Sequence, residues 1–195
     1  MQTVLVSGAT GAQGGATARA LLQAGYNVRA LVRDPESASA QALAALGAAL
    51  VRGSFENSDA LRDAADGADA VFSVQLFNPT QPHLEREQAG ALIAAAREAG
   101  VRTFVQSSVS GVRAAMAAAD WNEVGWDVPY WRSKAEIEAD VRGAGFDAAI
   151  VLRPAFMMEN FSAPKVGRMF PDLASGVIRT ALRADTKLAL VAAQD

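Results

Sequence analysis

The sequence predicts an α/β fold, a parallel sheet wound with helices on both faces, and three observations predict it. Short apolar runs alternate with helix-period segments to about residue 153, the pattern of a sheet whose strands are joined by covering helices. Glycines 25, 47, 67 and 100 fall where those helices should stop. The first apolar run, Val4 to Val6, leads into Ser7-Gly8-Ala9-Thr10-Gly11-Ala12-Gln13-Gly14-Gly15, followed by Ala18, Leu21 and Leu22 on one helical face. A strand, a glycine loop and a helix in that order make the expected fold a Rossmann-type doubly wound parallel sheet.

The elements follow in order. After the first helix, Asn27 to Val32 reads as the second strand, and Asp34-Pro35 as a helix cap with proline at the first helical position. That helix should end near Gly47, and Ala48 to Val51 is a third strand. Ser58 is expected to cap a helix from Asp59 to Asp66, and Ala70 to Val74 is the fourth strand. Gln81 to Ala99 is a long helix with Leu84, Ala91, Leu92, Ala95 and Ala99 on one face. Arg102 to Gln106 is the fifth strand. Residues 109–129, with Trp121 and Trp126, read as irregular. Tyr130 to Arg142 is a helix that buries Ile137 and Val141, and Phe146 to Leu152 is the sixth strand. Residues 154–195 are less regular and hold Pro154, Pro164 and Pro171. Gly176 to Leu182 and Lys187 to Ala192 are apolar there, and the second reads as a strand. A lone strand can neither satisfy its edges nor bury its face. The expected division is therefore a nucleotide-binding domain, 1–153, and the start of a smaller, incomplete C-terminal subdomain, 154–195.

Composition narrows the function classes. Half of the 195 residues are apolar, enough for a sizeable core, and the net charge is −3. No basic stripe suggests a nucleic-acid groove. Without cysteine there is no disulfide, thiolate zinc site or cysteine nucleophile. No carboxylate cluster suggests a metal. His83, the only histidine, has no ligand partner at useful spacing and reads as a capping or surface residue. No leader peptide precedes the first strand, and no run reaches the roughly 20 apolar residues of a membrane span. A cytoplasmic protein is the expectation.

The chemistry gathers at the strand ends. Gly8 allows a tight turn, Gly11 lets the backbone approach a diphosphate, and Gly14 lets the helix pack close to the sheet. The free N–H groups and positive dipole of the helix start then face the anion. Ala9, Thr10, Ala12 and Gln13 complete that seat. At the end of the second strand an acid would favour NAD and an arginine the 2′-phosphate of NADP. Arg33 stands there, with a forked donor set that fits a phosphate. NADP is the expected cofactor with NAD still open, and a solvated surface charge is the plain alternative for Arg33. Ser54, after the third strand, is a contact candidate for adenine or ribose. Gln75, Leu76 and Phe77, after the fourth, are candidates for lining the cleft. Tyr130 and Lys134 are four apart and share a helix face. A tyrosine of pKa near ~10 needs help to move protons at neutral pH, and an ammonium supplies it. Lys134 also suits the nicotinamide ribose. Ser107 or Ser108 suits a substrate carbonyl. An aromatic at a helix start is the plain alternative for Tyr130. Phe77, Trp126, Phe156 and the Met157-Met158 pair would make an apolar, adaptable wall.

These residues together resemble the NmrA-like family, atypical members of the short-chain dehydrogenase superfamily. The carriers are the glycine loop, Val28-Arg29-Ala30-Leu31-Val32-Arg33-Asp34-Pro35, Phe104-Val105-Gln106-Ser107-Ser108-Val109, Ser133-Lys134-Ala135-Glu136-Ile137-Glu138, Leu152-Arg153-Pro154 and Met158-Glu159-Asn160-Phe161. The resemblance covers nearly the whole chain. It implies a Rossmann domain that binds NADP(H) and a smaller subdomain over the nicotinamide. It carries Lys134 over to the nicotinamide ribose, and Glu159 and Asn160 to a loop at that end of the cofactor. The sequence departs from the family in two places: Ser54 follows Gly53 where aspartate is usual, and Tyr130 stands four before the lysine where many relatives lack a tyrosine. Family members also continue well past residue 195. The resemblance implies one of two functions. The first is an NADPH-dependent oxidoreductase acting on a quinone or other small carbonyl, with Tyr130, Lys134 and Ser108 at the reacting group. The second is a redox sensor that binds the dinucleotide and acts through a regulatory protein partner. The alanine-rich helix faces suit packing on the sheet or on a second copy of the chain.

Overall fold

A computed structural model of the chain describes residues 1–117, 128–163, 165–180, 182–183 and 185–195. Two compact units divide it, Met1–Arg153 and Pro154–Asp195.

The first unit is a six-stranded, wholly parallel sheet. Its strands are β1 (Thr3–Val6), β2 (Asn27–Val32), β3 (Ala49–Arg52), β4 (Ala70–Ser73), β5 (Thr103–Ser107) and β6 (Ala148–Leu152). They lie in the order β3-β2-β1-β4-β5-β6. The strand order reverses between β1 and β4, so the crevice beyond their carboxyl ends is the topological switch point at which open α/β sheets bind ligands. The helices are α1 (Ala12–Gln23), α2 (Ala38–Ala45), α3 (Ser58–Ala65), α4 (Leu84–Glu98), α5 (Val112–Ala117) and α6 (Val128–Gly143). Alternate side chains of strands β1 to β5 feed two cores. Leu5, Val71 and Phe104 pack with Leu61 of α3, Leu92 of α4, and Ile137 and Val141 of α6. Val4, Val6, Val28, Ala30 and Phe72 pack with Ala18 of α1 and Leu43 of α2.

Three element boundaries differ from expectation for local reasons. Asp34 does not cap α2: its carboxylate accepts the N–H of Glu36 at 3.0 Å, its carbonyl accepts the Ser37 hydroxyl at 2.8 Å, and the helix starts only at Ala38. The short aspartate side chain closes a turn on its own backbone before a helix can begin. Asn57, not Ser58, caps α3, accepting the N–H of Ala60 at 3.0 Å. Helix α4 starts at Leu84, because residues 81–84 are held by tighter turns, Gln81 N–H to Asn78 O and Leu84 N–H to Gln81 O. Part of the segment expected to be irregular is α5. Trp121 and Trp126 lie outside the described residues.

The second unit holds β7 (Phe156–Met157), a 3-10 turn (Met158–Phe161), α7 (Val166–Met169) and β8 (Leu190–Val191). The terminal apolar run is not a lone strand. It pairs in parallel with β7, Leu190 beside Phe156 and Val191 beside Met157. Phe161 stacks on Phe170 with ring centroids 4.9 Å apart. The run Gly176 to Leu182 contributes no strand among its described residues.

Candidate functional site

The seat is built by backbone. Ser7 is buried at the end of β1, and its hydroxyl accepts the N–H of Val74 at 2.9 Å, stitching β1 to the end of β4. Gly8 then turns with φ +59°, a conformation that side chains disfavour. The chain comes back on itself, the N–H of Gly11 donating to Gly8 O at 2.8 Å, and α1 begins at Ala12. A Cβ on Gly14 would lie 2.5 Å from Ser7 O and closer still to Gly8 O, so only glycine lets the helix start this near the strand. No side chain caps α1, and its first turn carries no acid. Its leading N–H groups and dipole are thus not spent on an internal anion, which fits a dinucleotide diphosphate. Thr10 and Gly11 are exposed there, Ala12 and Gln13 half-buried, and Ala9 faces the core.

Buried amides line the floor. The Gln75 amide donates to Ser73 Oγ at 2.9 Å, and the Gln106 amide donates to Gln75 Oε1 at 3.1 Å and to Ser107 O at 2.9 Å. The Ser107 hydroxyl donates to Gln13 Oε1, tying the end of β5 to the first turn of α1. This chain of contacts brings Gln13, Gln75 and Ser107 together beneath the glycine turn. Leu76 points outward, 80 % exposed.

One face of α6 carries Tyr130, Lys134 and Glu138, each a turn apart. Phe77 meets the Tyr130 ring edge-on at 5.2 Å, and Lys134 Nζ lies 5.6 Å from the centroid of the same ring. Lys134 itself donates to Glu85 Oε1 at 2.5 Å, and the Ser133 hydroxyl donates to Glu85 Oε2 at 2.7 Å. A turn further on, the Ser108 hydroxyl donates to Glu138 Oε1 at 2.7 Å. Arg153 Nε and Arg142 Nη2 each reach the same carboxylate at 2.8 Å. Burial alone would raise the Glu138 pKa, but the hydrogen bonds from Arg153, Ser108 and Arg142 outweigh it and hold the group down at about 2. Ser108 is therefore bonded to an ionised carboxylate, with its hydroxyl proton committed.

At the far strands of the same sheet, Arg33 is exposed at the end of β2, and Ser54 is half-buried after β3. The Ser54 hydroxyl bonds the exposed Glu56 carboxylate and, as the largest influence, lowers its pKa; attraction to Arg33 adds to the effect. Glu159 and Asn160 belong to the second unit. Glu159 Oε1 accepts the N–H of Ala193 at 2.8 Å, and Asn160 Oδ1 faces Lys165 Nζ at 3.4 Å. His83 is exposed before α4, with no capping bond from its side chain. Among the described residues no group of three or more acidic, histidine or cysteine side chains could hold a metal, and no helix is long and apolar enough to cross a membrane.

Sequence reading missed Glu85 and Glu138, the two buried carboxylates among the described residues. A signal existed. Glu85 falls on the stripe of Ala89, Leu92 and Ala96, and Glu138 lies beside Ile137 and Val141. A charge on a buried stripe implies a partner, although the partner is not identifiable from spacing.

The sheet order and the glycine turn at its switch point define a Rossmann-type nucleotide-binding fold. The family model for the NmrA-like family matches residues 1–195, and the chain belongs to that family. An NmrA-like family domain-containing oxidoreductase, himF of Aspergillus japonicus, is 31 % identical over 177 residues, which is 87 % of this chain and 51 % of that protein. A (4-alkanoyl-5-oxo-2,5-dihydrofuran-3-yl)methyl phosphate reductase of Streptomyces griseus is 35 % identical over 193 residues, 98 % of this chain and 59 % of that protein. The chain thus spans about half the length of the curated relatives it matches. The crystal structure of NmrA, a negative transcriptional regulator in complex with NADP, superposes with a TM-score of 0.66 at 24 % identity, covering 82 % of this chain and 47 % of that one. That likeness is one of fold.

Proposed function

We propose that this chain is the dinucleotide-binding part of an NADPH-dependent oxidoreductase that reduces a quinone or another small carbonyl acceptor. The observation that carries the reading is the glycine seat, where α1 starts uncapped, free of acid, and too close to β1 for any side chain at Gly14. The reductases among the relatives support the same reading. Gly8 to Gly14 would hold the diphosphate and Arg33 a 2′-phosphate. Lys134 would meet the nicotinamide ribose, with Gln75 and Phe77 along the cleft. NADPH supplies a hydride when bound. The acceptor oxygen also needs a proton, and Tyr130 beside Lys134 would give it. A quinone makes a smaller demand, because its phenol-like product anion can take a proton from water.

A second reading draws on a specific observation. Lys134 and Ser108, two of the groups a carbonyl reductase would aim at its acceptor, are each bonded to a buried carboxylate, Glu85 and Glu138. That favours a non-catalytic redox sensor that binds NADP(H) and acts through a protein partner. Steady-state NADPH oxidation over a panel of quinones and aldehydes, with wild type and Tyr130→Phe, separates the two. The reductase reading expects turnover with at least one acceptor. NADPH binding without turnover on any acceptor selects the sensor. Turnover unchanged in Tyr130→Phe removes the tyrosine from the mechanism.

A further inference from the structure

Two consecutive residues of α6 reach one carboxylate. Glu85 is fully buried in the first turn of α4, with Lys134 Nζ on one of its oxygens and the Ser133 hydroxyl on the other. Stability is a poor reason for such a pair, since well-packed apolar residues of similar volume often serve as well or better. The stripe of α4 that holds Glu85 continues as Ala89, Leu92 and Ala96, so an apolar residue would suit the position. What the carboxylate does supply is direction. A lysine side chain is flexible, and an ammonium without a fixed partner samples many rotamers. Glu85 ends that freedom, and Ser133 on the second oxygen keeps the carboxylate from swinging. The ammonium is left 5.6 Å from the centroid of the Tyr130 ring. One of its three protons is committed to Glu85, and two remain to donate.

We propose that Glu85 is a positioning residue for the dinucleotide site: with Ser133 it aims Lys134 at the nicotinamide ribose. This rests on the reading that Lys134 meets the cofactor; Glu85 itself touches neither cofactor nor acceptor. The carboxylate also cancels the ammonium charge at close range. Lys134 therefore binds as an oriented hydrogen-bond donor more than as a net positive charge.

The test is NADPH titration by calorimetry on wild type, Glu85→Gln, Ser133→Ala, Lys134→Met and the Glu85→Gln/Lys134→Met pair. Glu85→Gln should weaken NADPH binding about tenfold and Ser133→Ala by a smaller factor. Adding Glu85→Gln to Lys134→Met should weaken it no further. In any acceptor assay, Glu85→Gln should raise the KM for NADPH more than it lowers kcat. Should Glu85→Gln fold poorly, Glu85→Leu/Lys134→Met removes both charges; it should regain the wild-type melting temperature and still bind NADPH weakly. Wild-type affinity in Glu85→Gln overturns the proposal, as does an equal loss with and without Lys134, which would mark a structural role only. Wild-type affinity in Lys134→Met instead overturns the assignment of Lys134 to the cofactor, and no NADPH binding by wild type overturns the dinucleotide reading itself.

Discussion

Gly14→Ala is the sharpest perturbation the fold offers. The added methyl would sit 2.5 Å from Ser7 O and 2.6 Å from Gly8 C, against a floor of 3.0 Å that real Cβ atoms respect. Both neighbours are backbone, fixed by the Ser7–Val74 stitch and the turn at Gly8, so neither can swing aside. The start of α1 has to retreat by roughly an ångström. Forced overpacking of this kind costs about 1–3 kcal/mol. For a chain of this size each kcal/mol lowers the melting temperature by about 2–4 °C, so a loss of about 2–12 °C is expected. The retreat also opens the seat. Losing one charge-assisted hydrogen bond to the diphosphate costs roughly 1.5–3 kcal/mol, which is an NADPH affinity about 10- to 100-fold weaker. Thermal melts with and without NADPH, together with calorimetric titration, read both effects. Gly90→Ala is the control. It lies inside α4 with nothing within 4 Å of the new methyl, and it should gain roughly 1 kcal/mol with NADPH affinity unchanged. A Gly14→Ala protein that melts and binds like wild type refutes the close-packed seat.

Three further outcomes are expected. Glu138 is held at about 2, below its ordinary 4.5, so its share of stability is complete above the unfolded pKa and disappears as pH falls through the folded one. Urea melts should show about 3 kcal/mol lost between about pH 5 and pH 2 in wild type and missing from the Glu138→Gln profile; parallel profiles would discount the cluster. Asn57→Ala should destabilise the protein by about 1 kcal/mol while Ser58→Ala stays within about 0.5, a ranking chemical denaturation checks directly. Arg33→Ala should weaken NADPH about tenfold and leave NADH unchanged; an equal effect on both nucleotides would place the 2′-phosphate elsewhere.

The strands were legible because a parallel sheet buried on both faces must be written in apolar residues. β2 and the glycine turn lie where the sequence puts them, and the other strands of the sheet are displaced by at most two residues at an end. Caps were less legible. Asn57 and Ser58 are adjacent residues of similar capping strength, and only the backbone angle at the entry to α3 decides between them. Asp34 could cap a helix or close a turn with the same oxygen. The contacts of the candidate site were the least legible part. Its residues Lys134 and Ser108 stand out by type and spacing, but the carboxylates they bond lie 49 and 30 residues away in the chain. β7 is two residues long, too short for any period to reveal the partner waiting for β8.

The position of β1 has a consequence for how the protein is made. Of the six strands of this sheet β1 is synthesised before the other five, yet it lies in the interior, between β2 and β4. β2 ends at Val32, but the other flank stays open until Ala70–Ser73 has been synthesised. At about 5–20 residues per second that leaves an unpaired apolar edge for roughly 2–8 s. During that interval Val4, Leu5 and Val6 are a template for any other extended chain nearby. Substitutions that slow the closing of β4 on β1 should therefore appear first as lower soluble yield, before any change in the finished protein.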